Sequence, residues 1–321
     1  MEKVFITRKI PESGIELLKA KFEVDVWDGE LPPPRAELLR RVKGCGGLLT
    51  MLSDKIDSEV FAAAGASLKV VTNYAVGYDN IDLAASAKLG LRVGNTPGVL
   101  TETTADLAFA LLMSVARRIV EGNQYVQDNR WKTWGPELLR GYDLSGKTLG
   151  IVGFGRIGQA MAKRGLGFNM PVLFYSPTAP KDVYPELNAT KADLDRVLRE
   201  ADFLSLHCPL NDRSRKLINA EALAKMKDTA ILVNTARGPV VDSKALFDAL
   251  SSGKLAGAGL DVTDPEPILA DDPLLKLSNV VITPHIGSAS YETRAKMSEM
   301  SAENIIAGIE GKPLPFEVKL P

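Results

Sequence analysis

Three residues of this 321-residue chain have the types and placement to act together on a carbonyl group: Arg237, Glu266 and His285. Each follows a short apolar, strand-like run. Arg237 comes just after AILVNT, Glu266 lies beyond Asp261 in AGAGLDVTDPEP, and His285 closes VVITPH. A guanidinium offers a planar fork of donors to a carboxylate or carbonyl oxygen. A protonated imidazole can hand a proton to that oxygen as hydride reaches the carbon, and a neighbouring carboxylate favours the charged imidazole. These are the parts needed to reduce a 2-keto acid. Asp261, at the end of its own run, reads either as a site residue or as a residue that turns the chain. The only other histidine, His207 in LHCPL, has no evident carboxylate partner and reads as structural.

A reduction needs a hydride source, and the stretch TLGIVGFGRIGQAMAKR supplies a place for one. Gly153, Gly155 and Gly158 form G-x-G-x-x-G between a strand-like run and a helical pattern. That context matters more than the glycines alone. The first glycine permits a tight turn, the second lets backbone approach a pyrophosphate, and the third lets helix pack on strand. The N-terminus of the helix then faces the phosphates. In dinucleotide sites that take NAD, an acidic residue about 20 positions on accepts from the adenosine 2′-hydroxyl. Here that place is taken by Ser176, followed by Pro177, Thr178 and Lys181, with no carboxylate among residues 176–181. Hydroxyls and a lysine suit a 2′-phosphate, so NADPH is the expected cofactor, with NADH as the second possibility.

The elements that must position these residues are legible as apolar runs at 3–7, 46–51, 68–73, 91–95, 148–153, 171–176, 202–208, 230–235, 256–262 and 280–284. Continuous runs rather than alternation predict parallel strands buried on both faces. Helical patterns between them predict an α/β architecture with right-handed crossovers. Two longer helical stretches interrupt the alternation. One spans 101–127 with Thr101 as its N-cap, and the other spans 288–313, closed by Gly311 and Pro313. They are the expected places for the chain to pass between domains. The expectation is a dinucleotide-binding domain over 99–287 and a discontinuous domain made of 1–98 and 288–321.

Composition sets limits. With 39 basic and 40 acidic residues, net charge is −1, which favours neither nucleic acid nor an anionic membrane as partner. No apolar run approaches the ~18 residues of a membrane span, and the N-terminus lacks a secretory pattern, so a cytoplasmic protein is expected. Cys45 and Cys208 read as two reduced thiols, and two distant histidines form no metal-ligand cluster, so no metal is expected.

With these residues in place, the chain resembles the D-isomer-specific 2-hydroxyacid dehydrogenases, and among them the glyoxylate/hydroxypyruvate reductases. The resemblance runs nearly end to end and is carried by VGFGRIGQAMAKR, VNTARGPVVD, AGLDVTDPEP and TPHIGSAS in order and spacing. It implies two doubly wound parallel-sheet domains, one a Rossmann dinucleotide-binding domain and the other a flavodoxin-like substrate domain. It makes Arg237, Glu266 and His285 the catalytic set. It places Asp261 near the nicotinamide, Thr235 and Ala236 along the cofactor, and Arg156, Ile157, Pro209 and Gly287 among its contacts. NYAVGYDNID matches the family's substrate loop, where the N–H groups of Val76 and Gly77 hold the substrate carboxylate and Leu52 packs nearby. The family is commonly dimeric through a helical arm, here about 101–140, from which Trp134 reaches the partner's site. Formate dehydrogenases carry glutamine where Glu266 stands and are disfavoured; the resemblance to the reductases makes glyoxylate and hydroxypyruvate the expected substrates. The alternatives are a bulkier 2-keto acid such as 2-ketogluconate, or a dinucleotide-sensing binding module.

Overall fold

The computed structural model describes residues 1–179 and 182–320. Lys181, one of the residues expected near the adenosine, lies outside that set. The contacts divide the chain into two compact units, 1–100 with 288–321, and 101–287. Both are α/β units with doubly wound, mainly parallel sheets.

In the first unit, five parallel strands run β1 (Lys3–Ile6), β2 (Glu23–Val26), β3 (Cys45–Thr50), β4 (Val70–Asn73) and β5 (Arg92–Gly94). Their order across the sheet is β2-β1-β3-β4-β5, the flavodoxin-like arrangement. Every residue of β3 and β4 is buried, which is why these segments read as runs rather than as an alternation. Successive side chains serve opposite faces. Val4, Ile6, Leu49 and Val70 pack with Leu18 and Ile305, while Phe5, Leu48 and Val71 pack with Val60 and Leu68. The helix Tyr291–Ile309 comes so close to β4 that a Cβ on Gly308 would lie 2.4 Å from Val70. Ser290 caps its start, its hydroxyl accepting from the Thr293 N–H. At its end Gly311, at φ +70°, directs the Lys312 N–H to the Ala307 carbonyl at 2.8 Å, a Schellman closure.

The second unit carries β6 (Leu149–Val152), β7 (Val172–Tyr175), β8 (Val183–Tyr184), β9 (Ala189–Lys191), β10 (Phe203–Leu206), β11 (Ile231–Asn234), β12 (Gly257–Leu260) and β13 (Val280–Ile282). The order is β13-β12-β11-β10-β6-β7-β9-β8, parallel except for the β8/β9 pair. Strand order reverses at β6/β10, the switch point outside which ligands bind in such sheets. Leu206 pairs with Asn234, Asn234 with Leu260, and Leu260 with Ile282. The segments that follow these four strands therefore emerge side by side at one edge.

Three strands were not expected. Glu23–Val26 is an edge strand whose EVDV pattern keeps no residue fully buried, and β8 and β9 are two and three residues long at the far edge. None buries enough apolar side chain to register as a run. The stretch 101–127 is also not one helix. It forms Thr101–Ala116 and Ile119–Gln127, broken where Arg118 takes φ +51°. No glycine or proline marks that break; the Arg118 guanidinium instead pairs with Glu121 across the start of the second helix at 2.8 Å. Thr101 is the first residue of its helix rather than the cap. Among the described residues no helix is long and apolar enough to cross a membrane.

Candidate active site

At the carboxyl edge of the second sheet, the loops after β12 and β13 bring Glu266 and His285 into contact. The imidazole Nδ1 lies 2.5 Å from Glu266 Oε1. A carboxylate only accepts, so Nδ1 carries the proton of this bond, and Nε2 is the ring nitrogen that the bond leaves open. Both side chains are partly open to solvent, at 31% and 41%.

His285 adopts φ +53°, a left-handed conformation uncommon for a residue with a side chain and one that marks functional turns. Asp261 holds it there. The Asp261 carbonyl accepts the His285 N–H at 2.9 Å. Its carboxylate takes three donors at 2.7 Å each: the Thr283 hydroxyl and Ile286 N–H on Oδ1, and the Gly287 N–H on Oδ2. The side chain is only 1% exposed, and burial raises its pKa above the ordinary aspartate value despite those donors. Gly287 eases the approach, since a Cβ there would sit 3.1 Å from Asp261 Oδ2, a tight contact.

Arg237 follows β11. Asn234 fixes its backbone, accepting the Ala236 N–H at 3.0 Å and donating to the Arg237 carbonyl at 2.9 Å, while Arg237 Nη1 donates to the Ala236 carbonyl at 2.8 Å. The turn after Arg237 touches the chain leading to Glu266, since a Cβ on Gly238 would fall 1.8 Å from the Thr263 carbonyl oxygen. Only glycine permits that contact. The arginine loop and the glutamate loop are thus locked backbone to backbone.

The glycine loop follows β6. Gly153 takes φ +92°, and a Cβ there would meet the Cys208 nitrogen at 2.5 Å. A Cβ on Gly158 would lie 2.2 Å from the Gly153 carbonyl oxygen, so the helix Arg156–Leu166 sits directly on the turn. Gly155 differs: its added Cβ would meet open space. No side chain caps this helix, and the first N–H groups of a helix have no intrahelical acceptor. Nearby strand ends carry two buried polar atoms without a partner among the described residues, Thr235 Oγ1 and His207 Nδ1. An open glycine cradle, an uncapped helix start and an orphaned hydroxyl fit a dinucleotide. His207 Nε2 meets the Ser205 hydroxyl at 2.9 Å, and burial pushes its pKa down to about 3, so the ring is neutral.

Other expected residues are less closely gathered. Ser176 is buried at the end of β7, whereas Thr178, Arg156 and Pro209 are exposed and Ile157 is half-buried. In the first unit, Leu52 lines a cleft of about 390 Å³ with Asp54, Ile56 and Asn80. Val76 and Gly77 lie in the loop after β4 and are half-buried. Trp134 is 78% exposed. Asn234, Thr283 and the asparagines around the Val76 loop did not stand out in the sequence. The asparagines hold backbone and Thr283 holds the Asp261 carboxylate, and no local pattern marks such a role.

The fold and this edge define a nicotinamide-dinucleotide-dependent oxidoreductase. The model of the D-isomer specific 2-hydroxyacid dehydrogenase NAD binding domain matches residues 109–287. The glyoxylate reductase of Korarchaeum cryptofilum is 54% identical over 98% of this chain and 94% of its own. The solved TT0316 protein of Thermus thermophilus is 50% identical with a TM-score of 0.93, covering 99% of this chain and all of its own. An NADPH-dependent glyoxylate/hydroxypyruvate reductase from Sinorhizobium meliloti, solved with NADP and malonate, is 31% identical with a TM-score of 0.87, covering 99% of this chain and 96% of its own. The chain belongs to the D-isomer specific 2-hydroxyacid dehydrogenase family.

Proposed function

We propose that this enzyme reduces glyoxylate and hydroxypyruvate to glycolate and D-glycerate, with NADPH preferred over NADH. The His285–Glu266 contact, at the same sheet edge as a dinucleotide cradle, carries the reading, and the glyoxylate reductases at about half identity support the substrate class. A bound reduced nicotinamide supplies the hydride. His285 Nε2 donates the proton to the carbonyl oxygen, so that one hydride and one proton convert carbonyl to hydroxyl. Glu266 keeps its bond to Nδ1 throughout, which orients the ring and stabilises the imidazolium before transfer. Arg237 binds the substrate's carboxylate or carbonyl oxygen through its donor fork. The first unit is the substrate domain, with Leu52, Val76 and Gly77 facing the 2-keto acid.

The NADPH preference rests on the absence of a carboxylate at 176–181, with Thr178 the exposed hydroxyl. The proposed homodimer rests on the apolar side chains Ile119, Val120, Val126, Trp131 and Trp134, all more than half exposed on one continuous stretch. Trp134 would then reach the partner's site.

Steady-state rates on a panel of 2-keto acids, each with NADPH and with NADH, test the reading. Glyoxylate and hydroxypyruvate should give the highest kcat/KM, with NADPH ahead. Faster turnover of 2-ketogluconate would move the substrate to a bulkier acid, and a higher kcat/KM with NADH would remove the cofactor preference. Tight dinucleotide binding without turnover on the whole panel would make the protein a sensor rather than an enzyme.

A further inference from the structure

The loop after β4 shows how its peptide planes are held. Four successive carbonyls are tied back into the unit. Ala75 O accepts the Thr96 N–H at 2.8 Å, and Val76 O accepts Asn95 Nδ2 at 2.8 Å. Gly77 O accepts Asn73 Nδ2 at 2.7 Å, and Tyr78 O accepts the Ile81 N–H at 3.0 Å. The asparagines are themselves anchored. Thr50 Oγ1 donates to Asn73 Oδ1 at 2.9 Å, and Asn73 Nδ2 also reaches Asn80 Oδ1 at 2.9 Å. Asn80 Nδ2 donates to the Met51 and Asp54 carbonyls at 3.0 Å each. Asn73 is wholly buried and Asn95 is 7% exposed, so neither amide is a surface group free to turn.

A trans peptide is planar, with its N–H directed opposite to its C=O. Tying back the Ala75, Val76 and Gly77 carbonyls therefore turns the N–H groups of Val76, Gly77 and Tyr78 away from the anchors. None of these three N–H groups has a protein acceptor among the described residues. A row of outward donors without partners suits an anion.

We propose that Asn95 and Asn73, the latter braced by Asn80, are positioning residues that preset the Gly77 and Tyr78 peptide planes for the substrate carboxylate. The inference rests on the reading that this loop binds that carboxylate, and it adds the Tyr78 N–H to the donor set. Asn95 governs the Gly77 N–H, because it holds the Val76 carbonyl that shares a peptide plane with that N–H; Asn73, through the Gly77 carbonyl, governs the Tyr78 N–H in the same way. Binding to preset donors requires no reordering of the loop, so loss of an anchor should weaken carboxylate recognition specifically.

The test compares glyoxylate with glyoxal, its carboxylate-free analogue, in wild type, Asn95→Ala, Asn95→Asp and Asn73→Ala, with oxalate binding to the enzyme–NADPH complex measured alongside. Asn95→Asp keeps the size of the side chain and removes the donor, so it stays informative if Asn73→Ala fails to fold. The expected result is a KM for glyoxylate raised about tenfold, with oxalate weakened in parallel. Glyoxal turnover, kcat and dinucleotide affinity should change little. Equal losses on glyoxylate and glyoxal would make the asparagines merely structural and overturn the inference, as would unchanged values for both. Wild type that neither reduces glyoxylate nor binds oxalate would instead overturn the functional reading beneath it.

Discussion

Replacing Asp261 by asparagine should slow the chemical step without emptying the dinucleotide site. Asp261 Oδ1 serves the Thr283 hydroxyl and the Ile286 N–H, and Oδ2 serves the Gly287 N–H. An amide has one acceptor oxygen. Its better orientation keeps both donors on the Oδ1 side and sets its own NH₂ against the Gly287 N–H. The Gly287 amide is then orphaned and the two remaining bonds lose charge assistance, a cost of about 1–3 kcal/mol. Part is returned, because the buried carboxylate is itself unfavourable; desolvation lifts its pKa over the opposition of its donors. A net of about 2 kcal/mol lowers the equilibrium constant for the clamped, left-handed form about thirtyfold, which sets the upper limit on the fall in kcat. Thr283→Val, which removes one donor and leaves the carboxylate, should cost about 1 kcal/mol. The assay is kcat at saturating glyoxylate and NADPH, with thermal unfolding and dinucleotide titration on the same samples. An Asp261→Asn enzyme with wild-type kcat would show that the clamp does not hold His285 in its working conformation.

Four further outcomes follow from the same geometry. His285→Gln, which keeps a polar side chain but no proton to transfer, should lower kcat by about 10²–10⁴-fold while leaving NADPH affinity intact by fluorescence titration. Thr235→Val fills the same space without the orphaned hydroxyl; if that hydroxyl meets the dinucleotide, KM for NADPH rises while the melting temperature holds or increases, and an unchanged KM would leave the orphan unexplained. Gly158→Ala places a methyl 2.2 Å from the Gly153 carbonyl oxygen, so dinucleotide titration should show severely weakened binding. His207 has a folded pKa of about 3 against 6.5 for the free side chain, so the unfolded chain binds its proton first on acidification. Its contribution is complete above pH 6.5 and is lost as pH falls toward 3; by pH 5 the loss is about 2 kcal/mol. Urea unfolding of wild type and His207→Asn at neutral and acid pH should show a shallower acid decline in the variant, and parallel curves would count against a buried neutral imidazole.

Much of the architecture was legible locally. Ten apolar runs correspond to strands, and for the central ones the reason is that a parallel strand covered on both faces must be apolar throughout, a demand written into consecutive residues. The glycine loop was legible for a local reason too: Gly158 answers a contact with Gly153 in the same turn, and Gly153 takes a positive φ, although the Cys208 backbone that also crowds Gly153 comes from a distant strand end. Arg237, Glu266 and His285 were visible because each stands just past such a run, and adjacent parallel strands deliver their ends to one edge. The edge strand Glu23–Val26 and the break at Arg118 left no such trace. A half-exposed strand needs no apolar run, and the break carries neither glycine nor proline.

The residue order alone thus determined the fold class, the dinucleotide cradle and which three side chains share an edge, since all of these follow from sterics and burial within short segments. Tertiary structure alone decided which imidazole nitrogen is bound and which is free, that Asp261 clamps the His285 loop, and that three asparagines turn the Val76 loop's donors outward. Those facts depend on hydrogen bonds between residues as far apart as Asp261 and Gly287 or Asn95 and Val76. Such bonds exist only once the sheet register has set the distances, and no local pattern encodes them.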